Sequence, residues 1–279
     1  MKTLHFLFLA AVLLLAPQSH ATPHGPSPQP KDSSPVVAYG PGERLVYNVS
    51  YFGVPAGHAV MEVLGKTDLK GREVFHVLST VNSNKFVSAF YPVKDRIETF
   101  IDAEEGYSHA IRIKQRQGRK RREKAIDFDQ IRHRATQYKN NQVETFLVPP
   151  MVQDSLSALY HFRNHTALEV GKSVFIDVHE SNKNWELEIQ VLGKEEIRTP
   201  SGTFKTIKAK ALVRYEGLFM DKGDVTFWMT DDVRHIPVLI KTKIKIGSIT
   251  AVLASSRPAE QTGETSIQAK AQILPLSSN

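Results

Sequence analysis

His161 and His165 stand four residues apart, the spacing that puts two imidazoles on one face of a helix, within reach of a single metal ion. The residues between them are Phe162, Arg163 and Asn164, so the glutamate of an H-E-x-x-H site is missing and Arg163 adds positive charge beside the ion. The pair therefore reads as two polar residues near a helix end, where a cationic His suits the dipole. Nucleophilic hydrolysis needs a Ser, a His and a carboxylate brought together in space. The chain has 11 His but no G-x-S-x-G elbow, and Gly247-Ser248 is expected in mid-strand. Asp154-Ser155 and Asp231-Asp232 offer carboxylates for acid–base work, although Thr230-Asp231-Asp232-Val233-Arg234 also has the composition of a tight turn. With Cys at 0, a thiolate nucleophile, a disulfide, a thiolate zinc site and an iron–sulfur cluster are all excluded. No G-x-G-x-x-G or P-loop pattern is present, and neither a metal nor a cofactor is expected.

Charge gives a clearer signal. Lys+Arg 36 against Asp+Glu 29 makes the chain +7, and much of the excess falls in Arg112, Lys114, Arg116, Arg119, Lys120, Arg121 and Arg122, which reads as a hairpin turning at Gly118 with cations on both arms. The run lacks interleaved aromatics on which bases stack, so nucleic acid is not the expected partner. Lipid headgroups or an anionic envelope polymer fit it better, against the plainer alternative of a solvated tip whose charges keep it unpaired. Lys241, Lys243 and Lys245 read as a charged outer face that blocks edge pairing. Aromatics recur at or near strand positions. Tyr47, Tyr51, Tyr215, Phe219 and Trp228 are the candidates to line an apolar cavity if the sheet is wide enough to leave one; in a filled core they are packing. Leu218-Phe219-Met220 and Val87-Ser88-Ala89-Phe90-Tyr91 read as loops with apolar tips.

These residues need elements to position them. At 41% hydrophobic and 23% charged the composition is that of an ordinary globular protein. Lys2, the apolar run Phe6 to Ala16 and the small residues Ser19 and Ala21 have the pattern of a signal peptide cleaved after Ala21, which predicts export to the periplasm. The run is about half the ~20 residues a bilayer core demands, and the mature chain is expected to have no transmembrane segment. Residues 22–41 are Pro-rich and read as a disordered linker, 42–256 as a single β-rich domain, and 257–279 as a flexible tail.

Within the domain the dominant period is two. Trp185, Leu187, Ile189 and Val191 alternate with Glu186, Glu188 and Gln190; Ile207 to Tyr215 and Val238 to Ile246 alternate in the same way. Each predicts a strand with one buried and one wet face. Turns are expected at Asp68-Leu69-Lys70-Gly71, Glu104-Glu105-Gly106, Gln117-Gly118, Leu192-Gly193 and Pro200-Ser201-Gly202. About a dozen strands accompany one main helix, expected near 152–165 after Pro149-Pro150. The fold class is mainly β: a strongly curved antiparallel sheet, closed or half-open as a barrel, with the helix packed against it.

Several stretches together resemble a bacterial exported family of unknown function, DUF3108. They are Gly42-Glu43-Arg44-Leu45-Val46-Tyr47 with Gly53-Val54-Pro55-Ala56-Gly57, Gln153-Asp154-Ser155-Leu156-Ser157-Ala158-Leu159-Tyr160, Pro200-Ser201-Gly202-Thr203-Phe204-Lys205, and Trp228-Met229-Thr230-Asp231-Asp232 followed by Ile236-Pro237-Val238. The resemblance spans about residues 40 to 255 and implies an envelope β-protein, with no catalytic residue to carry over. The plan is also similar to the curved sheets of periplasmic lipoprotein carriers, a likeness of fold alone. The expectation is a soluble periplasmic, non-enzymatic protein that binds an apolar or amphipathic, lipid-like envelope molecule. An envelope adapter that docks on a partner and a hydrolase are the alternatives.

Overall fold

Alternating apolar and polar residues with Gly, Asn or Asp at the reversals leave a chain little choice but a meander of hairpins. The computed structural model describes residues 38–259 except 141, 166–167, 216–217, 220–224 and 245–246; of 214, 215, 218 and 219 it describes the backbone. The signal peptide, most of the linker, nearly all of the tail, Lys245 and Met220 lie outside the described residues. The first half runs β1 (Arg44–Tyr51), β2 (Val54–Leu69), β3 (Arg72–Ser83), α1 (Lys85–Phe90), β4 (Val93–Asp102), β5 (Ser108–Gln117), β6 (Lys120–Asp129), β7 (Arg134–Lys139) and β8 (Gln142–Leu147). Then come α2 (Ser157–Arg163), β9 (Ser173–Glu180), β10 (Lys183–Thr199), β11 (Gly202–Tyr215), β12 (Leu218–Phe219), β13 (Val225–Thr230), β14 (Pro237–Lys243) and β15 (Ser248–Arg257).

The strands form one antiparallel sheet in the order β8-β7-β6-β5-β4-β3-β2-β1-β15-β14-β13-β11-β10-β9, with β12 paired to β11. It is strongly curved and half-open. Side chains of the β9–β10 hairpin reach across the gap to β8: Asn184 Nδ2 donates to the Leu147 carbonyl at 2.8 Å and Asn182 Nδ2 to Glu144 Oε2 at 3.1 Å. Inward-facing residues of both halves, among them Leu45, Ile111, Ile189 and Leu253, share one core with α2.

The hairpins at Lys70-Gly71, at Gly118 and at Pro200-Ser201 form where the sequence places them. Several details differ, among them Leu218-Phe219, which is the short strand β12 and not a loop. The helix near 152–165 is shorter, Ser157–Arg163, because Gln153 spends its backbone on β9: its N–H donates to the Asp177 carbonyl at 2.8 Å and its carbonyl accepts from His179 N–H at 2.9 Å. Leu192-Gly193 is a bulge, not a turn, and β10 runs straight through it for 17 residues, paired to β11 on both sides. Gly247-Ser248 is not mid-strand. Gly247, at φ 95°, sits in the reversal between β14 and β15, where the Ile244 N–H donates to the Gly247 carbonyl. Val87 to Phe90 belongs to α1, not to a loop. Asn84 caps this helix, its Oδ1 accepting from Val87 N–H at 2.8 Å. Ala38 and Tyr39, in the segment read as linker, are buried against the core, with the Tyr39 ring 4.7 Å from that of Tyr160.

Candidate functional site

The second half of the sheet and α2 do not quite meet. Between them lies a cavity of about 100 Å³ inside a cleft whose open space, solvent side included, is about 830 Å³. Strand alternation builds its floor. Leu187 and Ile189 of β10 are paired with Val213 and Ala211 of β11, Trp185 lies two residues before Leu187 on the same face, and Val225 of β13, paired with Ala211, continues the row with Phe227 two residues on. Ala158 and Leu159 of α2 form the roof. Two polar groups interrupt this apolar lining, Ser155 and Glu180. The Ser155 hydroxyl and Glu180 Oε2 are buried without a hydrogen-bond partner.

Glu180 keeps its charge through the other carboxylate oxygen. Burial disfavours the anion, but Lys124 and Arg122 prevail and hold the carboxyl below its usual range. Lys124 Nζ is 2.8 Å from Glu180 Oε1 and Arg122 Nη2 is 3.8 Å away. Both cations are on the inward face of β6. The cleft therefore ends in an anion that retains one free acceptor.

The aromatics singled out from sequence are dispersed. Tyr47 is buried in the core, its hydroxyl donating to the Pro237 carbonyl at 2.9 Å. Tyr51 packs edge-on against Phe52, their ring centroids 4.9 Å apart. Trp228 points to the outer face, opposite to Phe227, where Lys208 and Lys241 lie 5.2 and 5.3 Å from its ring and Nε1 donates to Glu195 Oε1 at 2.6 Å. Tyr215 follows Val213 by two on β11, so its backbone position is on the cleft side; Phe219 pairs with Arg214, and the side chains of both lie outside the described residues. The aromatic walls are instead Trp185 and Phe227, and the alternation of Trp185, Leu187 and Ile189 was the signal for the first.

The basic residues divide by face. Arg112 pairs with Asp127 at 2.5 Å and Lys114 with Glu123 at 3.0 Å. Arg122 turns inward to Glu180, while Arg116, Arg119, Lys120 and Arg121 are exposed at the tip.

The remaining candidates are engaged elsewhere. Asp154 is buried, accepting from Thr99 Oγ1, from Ser108 Oγ at 2.6 Å and from the Leu156 and Ser157 N–H groups at 2.7 and 2.9 Å. All its acceptor capacity is used in starting α2 and tying it to β4 and β5. Asp231 forms an exposed pair with Lys194 at 2.7 Å. Burial, with His165 close by, pulls His161 down to about 4, so it is neutral rather than a cation at the helix end. No group of three or more potential metal ligands occurs among the described residues.

Sheet, roof helix and cleft define a class of half-open, strongly curved antiparallel barrels. Within it the chain belongs to the family of proteins of unknown function DUF3108, whose profile matches residues 46–254. In fold it is similar to a β-barrel-like DUF1849 protein from Brucella abortus, with a TM-score of 0.56 and 9% identity, covering 80% of this chain and 99% of that one. Looser likenesses are a protein from Bacteroides fragilis described as exported and YmcC-like (TM-score 0.38, 13% identity, 78% and 97% covered) and one from Parabacteroides distasonis described as a lipoprotein (0.35, 10%, 81% and 100%). No curated protein matches the chain.

Proposed function

We propose that this is a soluble periplasmic protein of the cell envelope that holds an apolar or amphipathic, lipid-like molecule in the cleft beneath α2 without altering it chemically. The observation that carries this reading is the lining: apolar side chains from the strands and α2, broken only by Ser155 and Glu180, each with a free buried acceptor. A ligand pocket is typically apolar with a few placed polar groups. About 100 Å³ is smaller than the roughly 150 Å³ of a cavity that admits benzene, so the enclosed part fits a short alkyl segment rather than a ring, while a longer chain runs along the open side. Glu180 Oε2 favours a hydroxyl, amine or ammonium head and disfavours a bare carboxylate. The signal-peptide pattern of residues 1–21 supports the periplasmic placement.

Native mass spectrometry of protein released gently from the envelope tests this. A lipid-sized adduct is expected, together with uptake of added lysophosphatidylethanolamine in preference to palmitate. Ala211→Phe fills the cleft and is expected to abolish both while the protein stays folded. Wild-type protein with no adduct and no uptake of either probe overturns the reading.

A further inference from the structure

At one end of the barrel, the β1–β2 turn, α1 and the β5–β6 turn stand side by side. Asn84 ties the first two together, donating from its backbone to the Ala56 carbonyl at 2.9 Å and from Nδ2 to the Pro55 carbonyl at 2.8 Å. Gly118 ties the third, its N–H donating to the Pro92 carbonyl at 2.8 Å, and the Tyr91 ring lies so close that a Cβ on Gly118 would sit 2.8 Å from it. The helix is thus held at both ends, yet it buries none of its own residues. What it presents to solvent is Phe86 and Phe90, one turn apart, 69% and 80% exposed, with rings 5.9 Å apart. Phe52 and Val54 on the neighbouring turn are 61% and 55% exposed.

Cations surround this apolar group. Lys94, Arg116 and Arg121 are directly abreast on β4, β5 and β6, with Arg119 and Lys120 at the turn and Lys85 on α1; all six are exposed and none has a carboxylate within 4.0 Å among the described residues. Like charges opposed across strands destabilise the sheet they sit on, so a row of three without counter-ions needs an explanation outside the fold.

We infer that this rim is a docking surface for an anionic phospholipid bilayer. A soluble polyanion would neutralise the cations but leave four apolar side chains in water. A bilayer surface supplies both anionic headgroups and, roughly 5–10 Å deeper, a boundary where aromatic rings are buried. The rigid mounting of α1 means the rings are already presented, with little ordering cost on contact. The inference rests on the envelope placement proposed above but uses none of the cleft residues. Register puts Trp185, Val213 and Val225, near the strand ends that line the cleft, at this same end of the barrel.

Co-sedimentation with phosphatidylethanolamine vesicles, with and without phosphatidylglycerol, tests the inference on the full mature chain. Binding is expected only with phosphatidylglycerol, and is expected to be lost in about 1 M salt, where charges are screened beyond roughly 3 Å. Phe86→Ser with Phe90→Ser is expected to weaken partitioning at least about tenfold. Arg116→Gln, Arg119→Gln, Lys120→Gln and Arg121→Gln together are expected to weaken it more, each cation near an anionic surface contributing roughly fivefold. Both variants change exposed side chains, and an unchanged thermal midpoint verifies their folding. Ala211→Phe should bind vesicles like wild type, which separates this inference from the cleft. Wild type that ignores phosphatidylglycerol overturns it, as does undiminished binding by the double Phe variant. Retention on soluble polyphosphate without vesicle binding would assign the rim to a polymer instead.

Discussion

Arg163 and Glu43, 120 residues apart in sequence, form a two-point ion pair entirely inside the protein: Nη1 to Oε1 at 2.7 Å and Nη2 to Oε2 at 2.8 Å. Arg163 also donates to the Ala38 and Arg234 carbonyls and lies over the Tyr39 and Tyr160 rings, at 5.6 and 5.2 Å. One side chain of α2 thereby holds the start of the domain, the α2 roof and the β13–β14 turn. Removing one partner strands a buried charge, which costs far more than the pair itself contributes. Glu43→Ala is expected to lower unfolding free energy by about 3–5 kcal/mol in urea, whereas Glu43→Leu with Arg163→Met, which removes both charges, loses much less. Single variants within about 1 kcal/mol of wild type would show the pair to be dispensable.

That pair marks a boundary of what the sequence makes legible. The strands around Trp185 to Val191 and Ile207 to Tyr215, the hairpin at Gly118 and a helix after Pro149-Pro150 are written in local periodicity, and they form. Arg163 falls at helical spacing from Leu156, Leu159 and Tyr160, but nothing local says that its counter-ion arrives from Glu43. Gly193 has the chemistry of a turn, and only pairing to β11 on both sides of it makes it a bulge. Helix α1, with six residues, is too short for a period to show. The cleft was half legible: alternation gave Trp185, Leu187 and Ile189, but which aromatics share it depends on strand order, and that sends Trp228 outward and Tyr47 into the core.

Gly247 is fixed by its backbone. At φ 95° a side chain is strained, and a Cβ there would collide with the Phe52 ring. Gly247→Ala is expected to destabilise by about 1–2 kcal/mol. Gly193→Ala, where no atom lies within 4 Å of the added Cβ, should change stability by under about 0.5 kcal/mol. Thermal unfolding of the two variants side by side checks the contrast, and equal midpoints would remove it.

Asp154 should behave as a structural group. Asp154→Ala leaves two hydroxyls and two N–H donors around an empty buried site, and each buried unpaired group costs about 1–3 kcal/mol. A loss of at least about 3 kcal/mol in urea unfolding is expected, with hydrogen exchange in α2 accelerated before that of β1 and β15. A folded Asp154→Ala protein of wild-type stability would contradict the role given to it here.

Two buried carboxyls on β4 should give stability opposite slopes with pH. Burial pushes Asp95 up to about 6 from 3.8, even though Gln117, Gln115 and the Arg116 N–H donate to it. Between pH about 4 and 6 the folded chain therefore holds a proton that the unfolded chain has released, and stability falls as pH rises through that window. Asp102 is the reverse case. Burial opposes its charge, but the Glu105 and Glu104 N–H groups, His109 and Arg72 outweigh it and hold the carboxyl at about 2. Its contribution is full above pH about 4 and is lost as pH falls from there towards 2. Asp95→Asn should thus gain stability relative to wild type as pH rises from 4 to 6, by about 2–3 kcal/mol in all at roughly 1.4 kcal/mol per unit. Asp102→Asn should converge on wild type only as pH falls through 4 towards 2. Urea unfolding of both variants from pH 3 to 8 reads the slopes, and parallel curves for Asp95→Asn and wild type would show that Asp95 is ionised as easily as a carboxyl in water.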